Sequence, residues 1–94
     1  MKVVLDGIEI MVRDIKYRNK LELKGEFADV YRNGIDDVSQ KEFNSLLGSV
    51  SDIAFADPET ALKEHDYDMQ LKILTKTMMN YLELSEESKK EQGD

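Results

Sequence analysis

The stretch "VVLDGIEIMVR", residues 3–13, decides the fold class of this 94-residue chain. Two β-prone runs flank Asp6-Gly7, a pair that supplies positive φ at both centres of a type I′ turn. The spacing predicts a hairpin with strands 2–5 and 8–13. Every other periodic segment reads as helix, so this one element separates an α+β domain from an all-helical one. Two strands cannot hide both of their faces unaided, which requires the hairpin to lie on helices or to join another sheet, with its edges left open.

Four helices are expected beyond the hairpin. The first starts from Asp14 as N-cap, places Tyr17, Leu21, Phe27, Val30 and Tyr31 on an apolar stripe and ends at Gly34, where a left-handed residue is expected. Gly25 is its weak point, a site for a bend or a close helix crossing. In "VSQKEF" Ser39 and Glu42 have the spacing of a capping box, and Val38 and Phe43 that of a hydrophobic staple. The second helix then runs from Gln40 to Ala54, with Phe43, Leu46, Leu47, Val50, Ile53 and Ala54 on one face. Asp57 and Pro58 open a short helix, 58–64. A restart at Asp66 or Asp68 leads into a last helix, 67–83, with Tyr67, Leu71, Leu74, Met78, Tyr81 and Leu82 forming another apolar stripe. The expected architecture is a mostly helical α+β domain over 1–84, a hairpin packed on three main helices and a short one. Residues 85–94, "SEESKKEQGD", contain nothing apolar and are expected to be disordered.

Without cysteine the core must hold by packing alone. The amino-terminal run is interrupted by Asp6, Gly7 and Glu9, so it matches neither a signal peptide nor a bilayer span, and a soluble cytoplasmic protein is expected. The net charge of −7 disfavours phosphate neutralisation on nucleic acids. That charge is unevenly spread. Residues 1–24 carry six basic against four acidic groups, net +2, whereas 25–68 carry three against eleven, net −8. An acidic middle keeps a small protein soluble and also steers basic partners.

Chemistry-bearing motifs are few. His65, the single histidine, stands among Glu64, Asp66 and Asp68, too few ligand types for a zinc or iron centre and well explained as a boundary between helices. Laid on a calcium loop, the run from Asp29 matches at Asp29, Asn33 and Gly34 but puts Tyr31 at the third position and Gln40 where the bidentate glutamate belongs. No nucleophile elbow or phosphate-cradling glycine loop occurs, leaving carboxylates as the one route to hydrolysis. The reading is therefore of a non-enzymatic protein with no cofactor and no metal.

The last helix carries more apolar residues than one core-facing stripe needs. Met69, Ile73, Met78, Met79 and Leu84 are the candidate partner contacts, methionine being suited to a surface that accepts varied apolar segments. The order of a hairpin opening with "LDGIEI", a charged helix "DIKYRNKLELKGEF", further helices and a terminal "YLELSEESKKE" resembles the small tail assembly chaperones of long-tailed bacteriophages. The resemblance implies a non-enzymatic cytoplasmic protein that binds the long helical tape-measure protein during tail assembly and is absent from the finished virion. It transfers no site residue. Two further readings stand beside it. One is an acidic inhibitor of a basic groove on a nucleic-acid-handling protein, using Asp29, Asp36, Asp37, Asp52 and Asp57. The other is a virion subunit, or another homo-oligomer, pairing through the hairpin edges.

Overall fold

The computed structural model describes residues 1–84; the tail 85–94, expected to be disordered, lies outside the described residues. The fold is α+β and mostly helical, as the hairpin and helix periodicities require. Strands β1 (Lys2–Leu5) and β2 (Ile8–Met11) pair antiparallel, with Val3 opposite Ile10 and Leu5 opposite Ile8. Asp6 and Gly7 have φ of 51° and 79°, the values a type I′ turn demands. Helices α1 (Tyr17–Val30), α2 (Gln40–Ala54), α3 (Pro58–Leu62) and α4 (Tyr67–Leu82) follow, with one 3-10 turn, Ile35–Asp37, between α1 and α2. α1, α2 and α4 pack against one another, α3 rests on α2, and the hairpin lies on α4 through β1. Val3, Leu23, Leu46, Val50, Ile73 and Tyr81 are sealed at the centre.

Beyond Met11 the pairing continues for one residue, the Val12 N–H donating to the Met1 carbonyl at 2.8 Å. The expected strand 8–13 stops short because Arg13 turns away from the sheet and onto the carboxyl end of α2. A helix leaves its last four carbonyls without intrahelical partners. Here the Ser51 carbonyl takes the Phe55 N–H at 3.0 Å, and the Ala54 carbonyl takes the Arg13 N–H at 2.9 Å. The guanidinium of Arg13 supplies the remainder, Nη2 to Asp52 O at 2.6 Å and Nε to Ile53 O at 3.0 Å, and Nη2 also reaches Phe55 O at 3.1 Å. The Arg13 carbonyl in turn accepts from the Tyr81 hydroxyl of α4 at 2.6 Å. One residue thus ties the hairpin to two helices.

The remaining helix ends depart from expectation in instructive ways. Asp14 is not the N-cap of α1; Lys16 holds that position, and Asp14 instead pairs with the terminal ammonium at 3.1 Å. The inward face of α1 is Leu23, Phe27 and Val30, with Tyr31 stacked on Phe27 at 4.6 Å between ring centres. Tyr17 and Leu21, placed on the stripe from sequence, are 78% and 52% exposed. At about 100° per residue Leu21 lies nearly opposite Leu23, so a single face cannot hold both. Gly25 marks neither a crossing nor a contact, because a Cβ there would meet nothing within 4 Å. Gly34 does have positive φ, 92°, yet it opens the 3-10 turn instead of closing α1.

The Ser39 Oγ accepts the Glu42 N–H at 3.3 Å as expected, but the carboxylate of Glu42 goes to Arg32 in a bidentate pair at 3.0 and 3.1 Å, so the reciprocal half of the capping box is replaced by a bond between the two helix ends. Asp57 caps α3 through the Thr60 N–H and hydroxyl, and α3 ends at Leu62, two residues earlier than expected. α4 closes in a Schellman motif: Leu84 N–H to Met79 O at 2.8 Å, Glu83 N–H to Asn80 O at 3.3 Å, and Glu83 itself left-handed at φ 60°. Thr77, fully buried, returns its hydroxyl to the Ile73 carbonyl at 2.7 Å.

Burial pushes the Tyr81 hydroxyl up to about 12 from an ordinary value of 10.0, with Arg13 opposing and Asp14 adding to the shift. Because the folded state holds this proton more tightly, the stability it contributes is complete below pH 10 and is lost as pH rises through about 12. Urea unfolding followed between those values is expected to show a fall in stability that is shallower in Tyr81→Phe. At neutral pH the same variant is expected to be less stable by about 1 kcal/mol, the net value of one hydrogen bond.

Candidate functional site

The five candidate contact residues, four on α4 and Leu84 just beyond it, do not share one surface. Ile73 and Met78 are 0% and 3% exposed and belong to the core, so neither is available to a partner. Met69 is half-buried against that core, and Leu84 is half-buried as the apolar contact of the Schellman motif. Met79 lines an open groove among the described residues. The correction has a plain cause: α4 packs on α1 and α2 along one side and on β1 along another, and the two contacts together use up most of its wide apolar face.

What remains is a groove between β1 and α4. Leu5, Leu71 and Met79 form an apolar floor, Thr75 lies among them, and Lys72 and Lys76 stand at the rim, around a volume of about 320 Å³. Leu71, Thr75 and Met79 fall at successive i, i+4 positions, as do Lys72 and Lys76, so helical geometry alone aligns the floor and the rim in two parallel rows. The spacing was visible in sequence. What was not visible was that Leu5, from the other end of the hairpin, would complete the floor.

A second cleft, about 360 Å³, runs between α1 and α2 and is lined by Glu26, Asp29, Val30, Arg32, Glu42, Ser45, Leu46 and Ser49. It is polar and largely self-satisfied. Ser49 Oγ donates to Glu26 Oε2 at 2.8 Å, and Arg32 holds Glu42 while also donating to the Asp29 carbonyl. The hydrogen bond and charge of Arg32 keep the Glu42 carboxyl below its ordinary range, and Glu42 raises Arg32 in return. Asp52 lines the same helical seam nearer to Arg13, whereas Asp36 and Asp37 sit in the 3-10 turn and Asp57 caps α3, so the five aspartates of the acidic reading are not gathered on one face. In the segment compared with a calcium loop, Arg32 donates to the Asp29 carbonyl and holds Glu42, two residues beyond that segment.

His65 lies at a helix boundary, as its surroundings in sequence imply. Its N–H donates to Leu62 O at 3.0 Å, and Asp66 caps α4 by accepting the Met69 N–H at 2.8 Å. Gln70, which sequence reasoning passed over, closes this junction: its Nε2 donates to both Leu62 O and His65 O at 2.9 Å. Among the described residues, no three histidine, aspartate or glutamate side chains converge in a group able to hold a metal ion. No helix of the described residues is long and apolar enough to cross a membrane.

Comparison with protein-family models, with curated proteins and with solved structures finds no match to the chain.

The division of α4 into core and groove residues has a direct test. Ile73→Asp buries an uncompensated carboxylate and is expected to abolish the cooperative thermal transition seen by circular dichroism, whereas Met79→Asp is expected to retain the helical spectrum and unfold within a few degrees of the wild type.

Proposed function

We propose that this chain is a non-catalytic protein-binding module of the tail assembly chaperone kind, holding an amphipathic helical segment of a long tape-measure-type partner in the groove between α4 and β1. The observation that carries this reading is the groove itself: an apolar floor of Leu5, Leu71 and Met79 with two lysines, Lys72 and Lys76, one helical turn apart on its rim. Each partner side chain of leucine size buried there contributes roughly 1.5–3 kcal/mol before association costs. The two ammonium groups favour a partner helix whose apolar stripe is bordered by carboxylates at matching i, i+4 spacing.

The charge distribution supports the same reading. Lys72 and Lys76 are a local cationic pair on a chain of net charge −7, so an acidic-edged helix is attracted to this rim and repelled by the acidic α1–α2 side, which orients it. The carboxyls with a clear shift, Glu42 and Asp57, are both held low by neighbours that cap or bridge helices, which is structural work instead of acid catalysis near neutral pH. Chaperoning of a helical chain with unburied apolar stripes needs an adaptable groove and a soluble exterior. The methionine in the groove lining and the net charge of −7 support that reading.

Titration of the isotopically labelled protein with an amphipathic peptide of about five helical turns, its apolar stripe edged by glutamates, tests the reading. Shifts centred on Leu5, Leu71 and Met79 are expected, with Met79→Asp weakening binding at least tenfold and Lys72→Gln/Lys76→Gln removing the part of its salt dependence that the rim supplies. Shifts centred instead on Glu26, Asp29 and Glu42, or unchanged affinity in Met79→Asp, would overturn it. Co-expression separates the broader role: the wild type is expected to keep a tape-measure-type chain soluble, and equal rescue by Met79→Asp contradicts the assignment to this groove.

A further inference from the structure

The hairpin presents a second feature that the groove does not use. Leu5 and Ile8 flank the two-residue turn, so they exchange backbone hydrogen bonds with each other, as do Val3 with Ile10 and Met1 with Val12. The alternation leaves the N–H and C=O groups of Glu9 and Met11 directed away from β1, along the outer edge of β2. β1 is the strand that packs along α4. β2 has no lysine, proline or bulge to blunt its edge, and Met11 on that edge is 69% exposed. Ile8 and Ile10, on the inward face of the same strand, are themselves incompletely covered.

Three two-fold registers bring β2 against a second copy of itself, and they are not equivalent. Centring the axis on Glu9 sets two carboxylates directly opposite, an unfavourable cross-strand pair. Centring it on Met11 requires Arg13 to pair with Glu9 of the other copy, yet the Arg13 N–H is already given to Ala54 O and its carbonyl to Tyr81. Centring it on Ile10 places Glu9 opposite Met11 in both directions. Every outward N–H and C=O of the two residues then finds a partner, the carboxylates stay apart, and Ile10 meets its own copy on the inward face.

We infer that the chain forms a two-fold homodimer by antiparallel pairing of β2 with β2 about Ile10, joining two two-stranded hairpins into one four-stranded sheet. The occupant is a second copy because in this register the outward N–H and C=O groups of Glu9 and Met11 satisfy those of the same two residues in the other copy, with no two like charges directly opposite.

Sedimentation equilibrium of the full chain over a range of concentrations tests the inference, with substitutions at Met11 reporting the register. Met11→Glu faces Glu9 of the other copy and is expected to raise the dimer dissociation constant by roughly threefold to thirtyfold, whereas Met11→Lys is expected to lower it by a similar factor. Because Met11 is exposed, both variants keep the fold, checked by circular dichroism. A wild type that remains monomeric up to about 1 mM overturns the proposal, since a Kd above that range leaves no useful association. Weakening by both charges overturns the register, as like residues would then be facing each other, and no change with either overturns the edge.

Discussion

The carboxyl end of α2 is where this structure is joined together. A helix that ends inside a domain must find partners for its last carbonyls, and here a single residue from the hairpin exit answers three of the four, by its N–H and by two nitrogens of its guanidinium. Arginine is suited to this because its planar fork spreads several donors across neighbouring acceptors, and its positive charge favours the negative end of the helix dipole. The Arg13 carbonyl then takes the hydroxyl of Tyr81, a side chain sealed in the core of α4. The hairpin, α2 and α4 are therefore fixed relative to one another at one point, and the groove and the β2 edge take their positions from it.

Much of this architecture was legible because it is local. Asp6-Gly7 specifies its turn, Ser39 and Asp57 cap the helices they precede, and the regular apolar spacing of α2 leaves one face to bury. Elements whose readings depended on a distant partner were less legible. In α1, Tyr17 and Leu21 have the right spacing, but so do Leu23, Phe27 and Val30, and only packing against α2 and α4 selects the second set. Glu42 satisfies the pattern of a capping box, yet Arg32, ten residues before it, is the better partner for its carboxylate. Arg13 reads as a charged residue ending a strand; nothing near it in sequence announces the helix end it reaches at Asp52 and Ile53.

The same distinction explains the candidate site. The wide apolar face of α4 was visible in the sequence, but the hairpin and the other helices compete for it, and Ile73 and Met78 are consumed in doing so. The unclaimed portion is narrower, and it is shared with Leu5 of β1. A groove built at a strand–helix junction has a position as fixed as the junction, which links the binding surface to the Arg13 anchor through the hairpin. Along the α1–α2 cleft the Glu42 carboxylate is paired with Arg32 and that of Glu26 accepts from Ser49, so neither stands wholly free for a partner.

The most direct test of the anchoring role is the unfolding free energy of Arg13→Met, which retains the aliphatic stem while removing the donors, measured by urea denaturation beside Arg13→Lys. A loss of about 2–3 kcal/mol is expected for methionine, with lysine recovering only part of it because one ammonium group cannot span the Asp52 and Ile53 carbonyls as the fork does. A methionine variant within about 0.5 kcal/mol of the wild type, the range of an ordinary surface substitution, would contradict it.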